Sequence, residues 1–231
     1  MHGGTRMKRW LFALVCLMVL AGAARGAFAQ SADSAVSLDD PAISKDTLNR
    51  LLAAGELLIV REGPGGRLAM ITSGILIDKP PEAVFKTIAD YPNYPQFMPS
   101  TEECEVVHSE GDVKDVRYAI KFKFLIFSFT VDYVLRTTLH PSTDVTWNLL
   151  SSKGGKLRKS FGSWKLYPVD GGQRTAAFYS VYSDISNVVP GLGSFIKKDP
   201  SMETAINVST CILVLHAMKN RSENPNWMQT K

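Results

Sequence analysis

The sequence predicts an α+β fold, and three observations carry that expectation. Residues 103–168 are dominated by runs with a two-residue apolar period, the mark of half-buried strands. Residues 75–99 switch from a strand pattern to a helical one at Pro80-Pro81, and residues 200–218 form an apolar run at helical spacing. With residues 1–29 set aside as a targeting segment, about 200 residues remain, enough for one domain with a sizeable core.

Residues 1–29 join a basic start (Arg6, Lys8, Arg9), an apolar run from Trp10 to Ala21 and a small-x-small end at Ala27-Phe28-Ala29, which is the pattern of a secretory signal peptide. The run falls below the ~20 apolar residues of a membrane helix, so export to the periplasm or medium is expected over an uncleaved anchor. Cys16 lies inside the run, after Leu14-Val15, where a lipoprotein signal would not place it. Arg6, Lys8, Arg9 and Arg25 are its only charges, so removal leaves 22 of the 26 Lys and Arg against 22 Asp and Glu. A neutral mature chain has no electrostatic footprint for nucleic acid, and none is expected as a partner.

Residues 30–43 read as a polar linker. Ser44 is placed to cap a helix carrying Leu48, Leu51 and Leu52 on one face, with Gly55 as its stop, and strands are expected over 57–61 and 67–77 across the turn Gly63-Pro64-Gly65-Gly66. Residues 44–69 thus form a helix-strand extension. In 75–99, Ala83, Val84, Phe85 and Ile88 fall at helical spacing after the Pro pair, and Asp90 closes the helix. Tyr91, Tyr94, Phe97 and Met98, interleaved with Pro92, Pro95 and Pro99, cannot run on as a regular helix and make a lid or a corner.

Strands follow at 103–108, 113–124, 126–140, 144–150 and 156–168. Tyr118, Ile120, Phe122 and Phe124 occupy even positions and Phe127, Phe129, Val131, Tyr133 and Leu135 odd ones, so the inward face flips near Leu125-Ile126. The plainer reading is a bulge in one long covered strand. The functional reading is an exposed apolar tip, Phe124-Leu125-Ile126, that touches a membrane transiently. Asp170-Gly171-Gly172 marks a hairpin into a strand over 173–184. In the closing helix, Asp199 and Pro200 suit the first turn and Met202, Ala205, Ile206, Ser209, Ile212, Leu213 and His216 share one broad face. Residues 221–231 read as a polar tail.

The patterns IxxPPExVFxxIADYxxYPxFxP at 77–99 and GxWxLxPxDGG at 162–172 resemble the START-like (SRPBCC) superfamily, closest to its polyketide cyclase/dehydrase and coenzyme Q-binding branch. The resemblance covers roughly residues 70–220. It implies a helix-grip fold, a curved antiparallel sheet around a long C-terminal helix with an apolar cavity between them, and a domain that binds a hydrophobic ligand.

Residues with catalytic chemistry are sparse. His108, His140 and His216 lack a ligand partner at metal spacing, and no G-x-S-x-G elbow, P-loop or G-x-G-x-x-G is present, so neither metal nor cofactor is expected. Glu102, Glu103 and Glu105 read as a solvated strand edge and Asp132 shares the wet phase of Ser128, Thr130 and Arg136. Asp184, in phase with Phe178, Ser180 and Tyr182, is the candidate polar group at a cavity mouth. Lys153, Lys156, Arg158 and Lys159 make a solvated face or, beside an apolar pocket, greet an anionic head group. Cys104 and Cys211 are expected as free buried thiols, since one opens a strand and the other lies mid-helix.

No catalytic residue is assigned. The candidate ligand-binding residues are Phe97, Met98, Phe122, Tyr133, Trp147, Trp164, Tyr179, Asp184, Met202 and Ile206. The expected function is a carrier for an apolar small molecule, a lipid, isoprenoid or polyketide-like compound. The alternatives are a cyclase or dehydratase using cavity carboxylates, and a structural adaptor with a collapsed interior.

Overall fold

The computed structural model describes residues 44–124 and 127–229. The signal-peptide and linker readings of 1–43, and Leu125-Ile126 of the apolar tip, lie outside the described residues. Ser44 accepts the N–H of Thr47 at 3.2 Å and caps α1 (Lys45–Ala54), which ends at Gly55 as its sequence predicts. β1 (Leu57–Glu62) and β2 (Leu68–Ile77) follow, then α2 (Pro81–Ile88), begun by the Pro pair, and the four-residue α3 (Tyr94–Phe97).

Six more strands continue the sheet: β3 (Thr101–Glu110), β4 (Val113–Phe124), β5 (Phe127–His140), β6 (Asp144–Ser152), β7 (Ser160–Val169) and β8 (Arg174–Ser183). Their order is β1-β2-β8-β7-β6-β5-β4-β3, with every neighbouring pair antiparallel. A short α4 (Leu192–Lys198), which the sequence reading does not contain, leads into α5 (Ser201–Glu223). The result is the curved antiparallel sheet around a long C-terminal helix that the resemblance implies.

β2 is buried along almost its whole length because it is covered on both faces. α5 packs on the inner face of β2 and β8, while Leu52 of α1 meets Phe178 and the Gly74 backbone on the outer face. That two-sided cover explains why residues 68–77 read as a continuous apolar run. At the other edge, Arg117 on β4 bridges Asp132 on β5 at 2.6 Å and Glu103 and Glu105 on β3 at 3.0 Å each, a charged outer ladder that keeps Asp132 below the usual carboxylate range.

Three expectations are corrected. The phase flip near residue 125 is not a bulge in one long strand, because Phe124 pairs with Phe127 and β4 and β5 form a hairpin. β7 starts at Ser160, since residues 153–155 form a 3₁₀ turn. The buried face of α5 is Glu203, Asn207, Cys211, Val214, Leu215, Met218 and Ser222, rotated from the predicted face, so Met202, Ala205, Ser209, Leu213 and His216 are exposed. The cause is polar residues on the covered side. Asn207 donates to the carbonyls of Ser183 and Glu203, and Cys211 lies 3.1 Å from the Ser73 hydroxyl, so hydropathy alone misplaces the stripe. Cys104 and Cys211 are both free and buried.

Candidate functional site

A cavity of about 220 Å3 lies between the inner face of the sheet and α5. Strands β4 to β7 contribute alternate residues, as their pleat requires: Tyr118, Ile120 and Phe122 from β4, Val131, Tyr133, Leu135 and Thr137 from β5, Val145 and Trp147 from β6, and Ser160 and Trp164 from β7. Tyr179, Val181 and Ser183 of β8 face Ile206, Thr210 and Val214 of α5. The Pro-limited segment closes one end with Ile88, Tyr91 and Tyr94.

The walls are ordered by ring contacts. Tyr118 and Tyr133 stack with centroids 5.4 Å apart and planes 13° from parallel, while Tyr179 lies 4.5 Å from Trp164 and 5.6 Å from Trp147. Gly162 makes the second group possible. A Cβ there would sit 2.3 Å from the Trp147 ring and 2.3 Å from the Ser180 carbonyl oxygen, so only glycine lets the indole lie across β7. Tyr94 is locked by donating to the carbonyl of Ile88 and by edge contact with Phe97. The segment 91–97 is therefore a buried corner, not a lid.

No charged side chain lines the cavity among the described residues. Burial pushes the phenols of Tyr91, Tyr118, Tyr133 and Tyr179 up, which leaves them neutral donors. Tyr91 is the exceptional one. It is 2 % exposed and its hydroxyl makes no well-formed hydrogen bond, the Thr137 side chain being the polar group beside it. Burial also raises the Cys104 thiol to about 12 and that of Cys211 to about 11, so neither is a ready nucleophile. The lining reaches solvent at Ser100, Thr210 and Leu213, which places the mouth between the turn entering β3 and the exposed face of α5.

Of the candidate residues, Met98, Phe122, Tyr133, Trp147, Trp164, Tyr179 and Ile206 come together on this one surface. Three do not. Phe97 is fully buried behind the wall with Arg221 over its ring, Met202 is exposed because α5 is rotated, and Asp184, just past β8, faces a separate groove and accepts the N–H of Ser186. Phe124 is the last residue of β4, and its two partners in the apolar tip are outside the described residues. Sequence reasoning missed Tyr91, Tyr118 and Thr137 as lining residues, although Tyr118 shares the even phase of Phe122. It also missed the pairing of His216 with Glu56, which comes from across the chain.

Residues 77–200 match the model of a family described as polyketide cyclase/dehydrase and lipid transport. No curated protein sequence matches the chain. Among solved structures, the STAR-related lipid transfer protein of Xanthomonas axonopodis is 15% identical with a TM-score of 0.56, over 74% of this chain and 94% of that one. The Zhui aromatase/cyclase of Streptomyces sp. R1128 is 16% identical with a TM-score of 0.54, over 67% and 93%. A START superfamily protein of Mycobacterium smegmatis is 16% identical with a TM-score of 0.51, over 68% and 99%. At such identities the likeness is one of fold.

Proposed function

The chain belongs to the polyketide cyclase/dehydrase and lipid transport family, and on that premise we propose that it is an exported carrier that holds an apolar small molecule between sheet and helix without converting it. The observation that carries the reading is the cavity itself, walled by stacked aromatics and free of ionisable carboxylates among the described residues. A cyclase working by general acid-base catalysis needs titratable groups converging on the substrate, and the candidate Asp184 faces elsewhere. Export rests on the pattern of residues 1–29.

At about 220 Å3 the cavity is below the ~300–1,000 Å3 usual for drug-sized ligands, so it suits an isoprenoid segment or one fused-ring body, with any longer part leaving through the mouth. Purified mature protein is expected to bind an apolar fluorescent probe with one-to-one stoichiometry, and lipid extraction followed by mass spectrometry to recover co-purified ligand unchanged. Ile206→Trp, which fills the α5 wall, is expected to cut probe capacity at least fivefold while the fold survives, because overpacking an open wall costs less than the ~1–3 kcal/mol of a dense core. Recovery of a chemically altered product would overturn the carrier reading, and probe binding unchanged in a folded Ile206→Trp would overturn the site.

A further inference from the structure

A groove of about 790 Å3 adjoins the cavity and is built from the same chain segments. At the start of β7, Leu157 and Ser160 line the cavity while Arg158 and Lys159 between them line the groove. After β8, Ile185 and Val188 line the cavity while Asp184, Ser186, Asn187 and Val189 line the groove. The partition is a single apolar cluster of Val131, Leu157, Ile185, Val188 and Ile196, in which Ile196 of α4 fronts the groove. Ile185 and Val188 lie on the connection between β8 and α4, so moving them aside breaks no strand pairing.

The two compartments differ in charge. The cavity has no charged lining residue among those described, whereas Arg67, Arg158, Lys159 and Lys197 surround the groove with Asp184 as its one lining acid. Asp184 already accepts the Ser186 N–H at 3.0 Å. The Arg67 guanidinium stands 3.8 Å from the buried carboxylate of Glu203, which anchors it at the rim, and the Lys159 ammonium rests 4.8 Å over the Phe161 ring. Beyond residues 1–29 the chain has equal numbers of acidic and basic residues, so four cations around Asp184 and the buried Glu203 are a local concentration.

We propose that this groove receives the phosphate-type anionic head of an amphiphile whose apolar body occupies the cavity, which makes the cargo a charged lipid or lipid-like molecule instead of a neutral hydrocarbon. The inference rests on the cavity being the ligand site. Arginine forks and lysine ammoniums are the groups that bind phosphate oxygens, and a charged head cannot enter the cavity unpaired, so the cationic site must lie outside an apolar partition.

The test is calorimetric titration of the mature protein with dodecyl phosphate below its micelle concentration, with dodecanol, and with inorganic phosphate. Dodecyl phosphate is expected to bind about tenfold tighter than dodecanol at low salt, as two or three partly exposed charge contacts allow, with the advantage shrinking as salt rises. Arg158→Gln with Lys197→Gln, both on exposed residues, is expected to remove most of that advantage while dodecanol affinity and melting temperature stay unchanged. Equal affinity for the two amphiphiles would overturn the proposal. Inorganic phosphate binding as tightly as dodecyl phosphate would overturn it too, as the mark of a free-anion site. Failure of both amphiphiles to bind would instead overturn the cavity reading beneath it.

Discussion

Gly162→Ala tests the aromatic wall at its tightest point. The added Cβ would lie 2.3 Å from Trp147 Cζ2 and 2.3 Å from the Ser180 carbonyl oxygen, whereas real Cβ contacts essentially never fall under 3.0 Å. One clash is with backbone, across the β7–β8 ladder that pairs Gly162 with Val181, so it cannot be relieved by a side-chain rotation. The other forces the buried Trp147 ring away from Tyr179. Overpacking of this kind costs ~1–3 kcal/mol and loss of a stacked pair ~0.5–1.5 kcal/mol, so a combined loss of ~2–4 kcal/mol is expected. For a domain of this size that corresponds to a drop of roughly 5–15 °C in Tm. Urea unfolding followed by tryptophan fluorescence and far-UV circular dichroism measures it, and apolar-probe binding should weaken in parallel because the displaced indole enters the cavity. Trp147→Leu in the Gly162→Ala background should restore part of the loss, a coupling of ~0.5–3 kcal/mol, but not the share due to Ser180. A variant within ~0.5 kcal/mol of wild type, or no coupling to Trp147, would refute the account of why glycine stands there.

Tyr91→Phe removes a buried hydroxyl that makes no well-formed hydrogen bond, and since an unpaired buried donor costs ~1–3 kcal/mol the ligand-free variant should be as stable as wild type or up to ~1 kcal/mol more stable by calorimetry. The same change should weaken an apolar ketone about fivefold and leave the matching hydrocarbon unaffected, and a clear loss of stability would show that the hydroxyl is already satisfied. Glu203 is raised by desolvation, opposed by Arg67, and its folded carboxyl therefore holds a proton over a window that opens above the ordinary 4.5. Its stabilising contribution is present below that value and is lost as pH rises through the folded one, so Glu203→Gln should exceed wild type in stability by ~1–2 kcal/mol at pH 7 and converge with it in acid, as pH-dependent urea titration would record. A Gln variant weaker at neutral pH would mean that the Arg67 pair outweighs desolvation.

Most of the fold is legible in the sequence, because the two periods that define strands and helices are local properties. The Pro80-Pro81 switch, the Ser44 cap with its Gly55 stop, and the alternation of Tyr118, Phe122, Val131 and Tyr133 each place an element or a face without reference to anything distant. The aromatic wall was legible for the same reason, since the pleat decides which side of a strand Tyr133, Trp147 and Tyr179 occupy. The tertiary structure decided whatever depends on a partner far along the chain. The rotation of α5 is set by Cys211 meeting the Ser73 hydroxyl and Asn207 donating to the Ser183 carbonyl, which no hydropathy pattern encodes, and it is this rotation that puts Met202 in solvent while Ile206 keeps its place on the cavity. The flip at residue 125 fits a bulge and a hairpin equally well until the register of β4 on β5 chooses. Asp184 illustrates the remaining gap: it shares the even phase of Phe178 and Ser180, which looks apolar only because α1 covers the outer face of β8, whereas Tyr179, Val181 and Ser183 line the cavity, and its carboxylate joins four cations gathered from three segments of the chain.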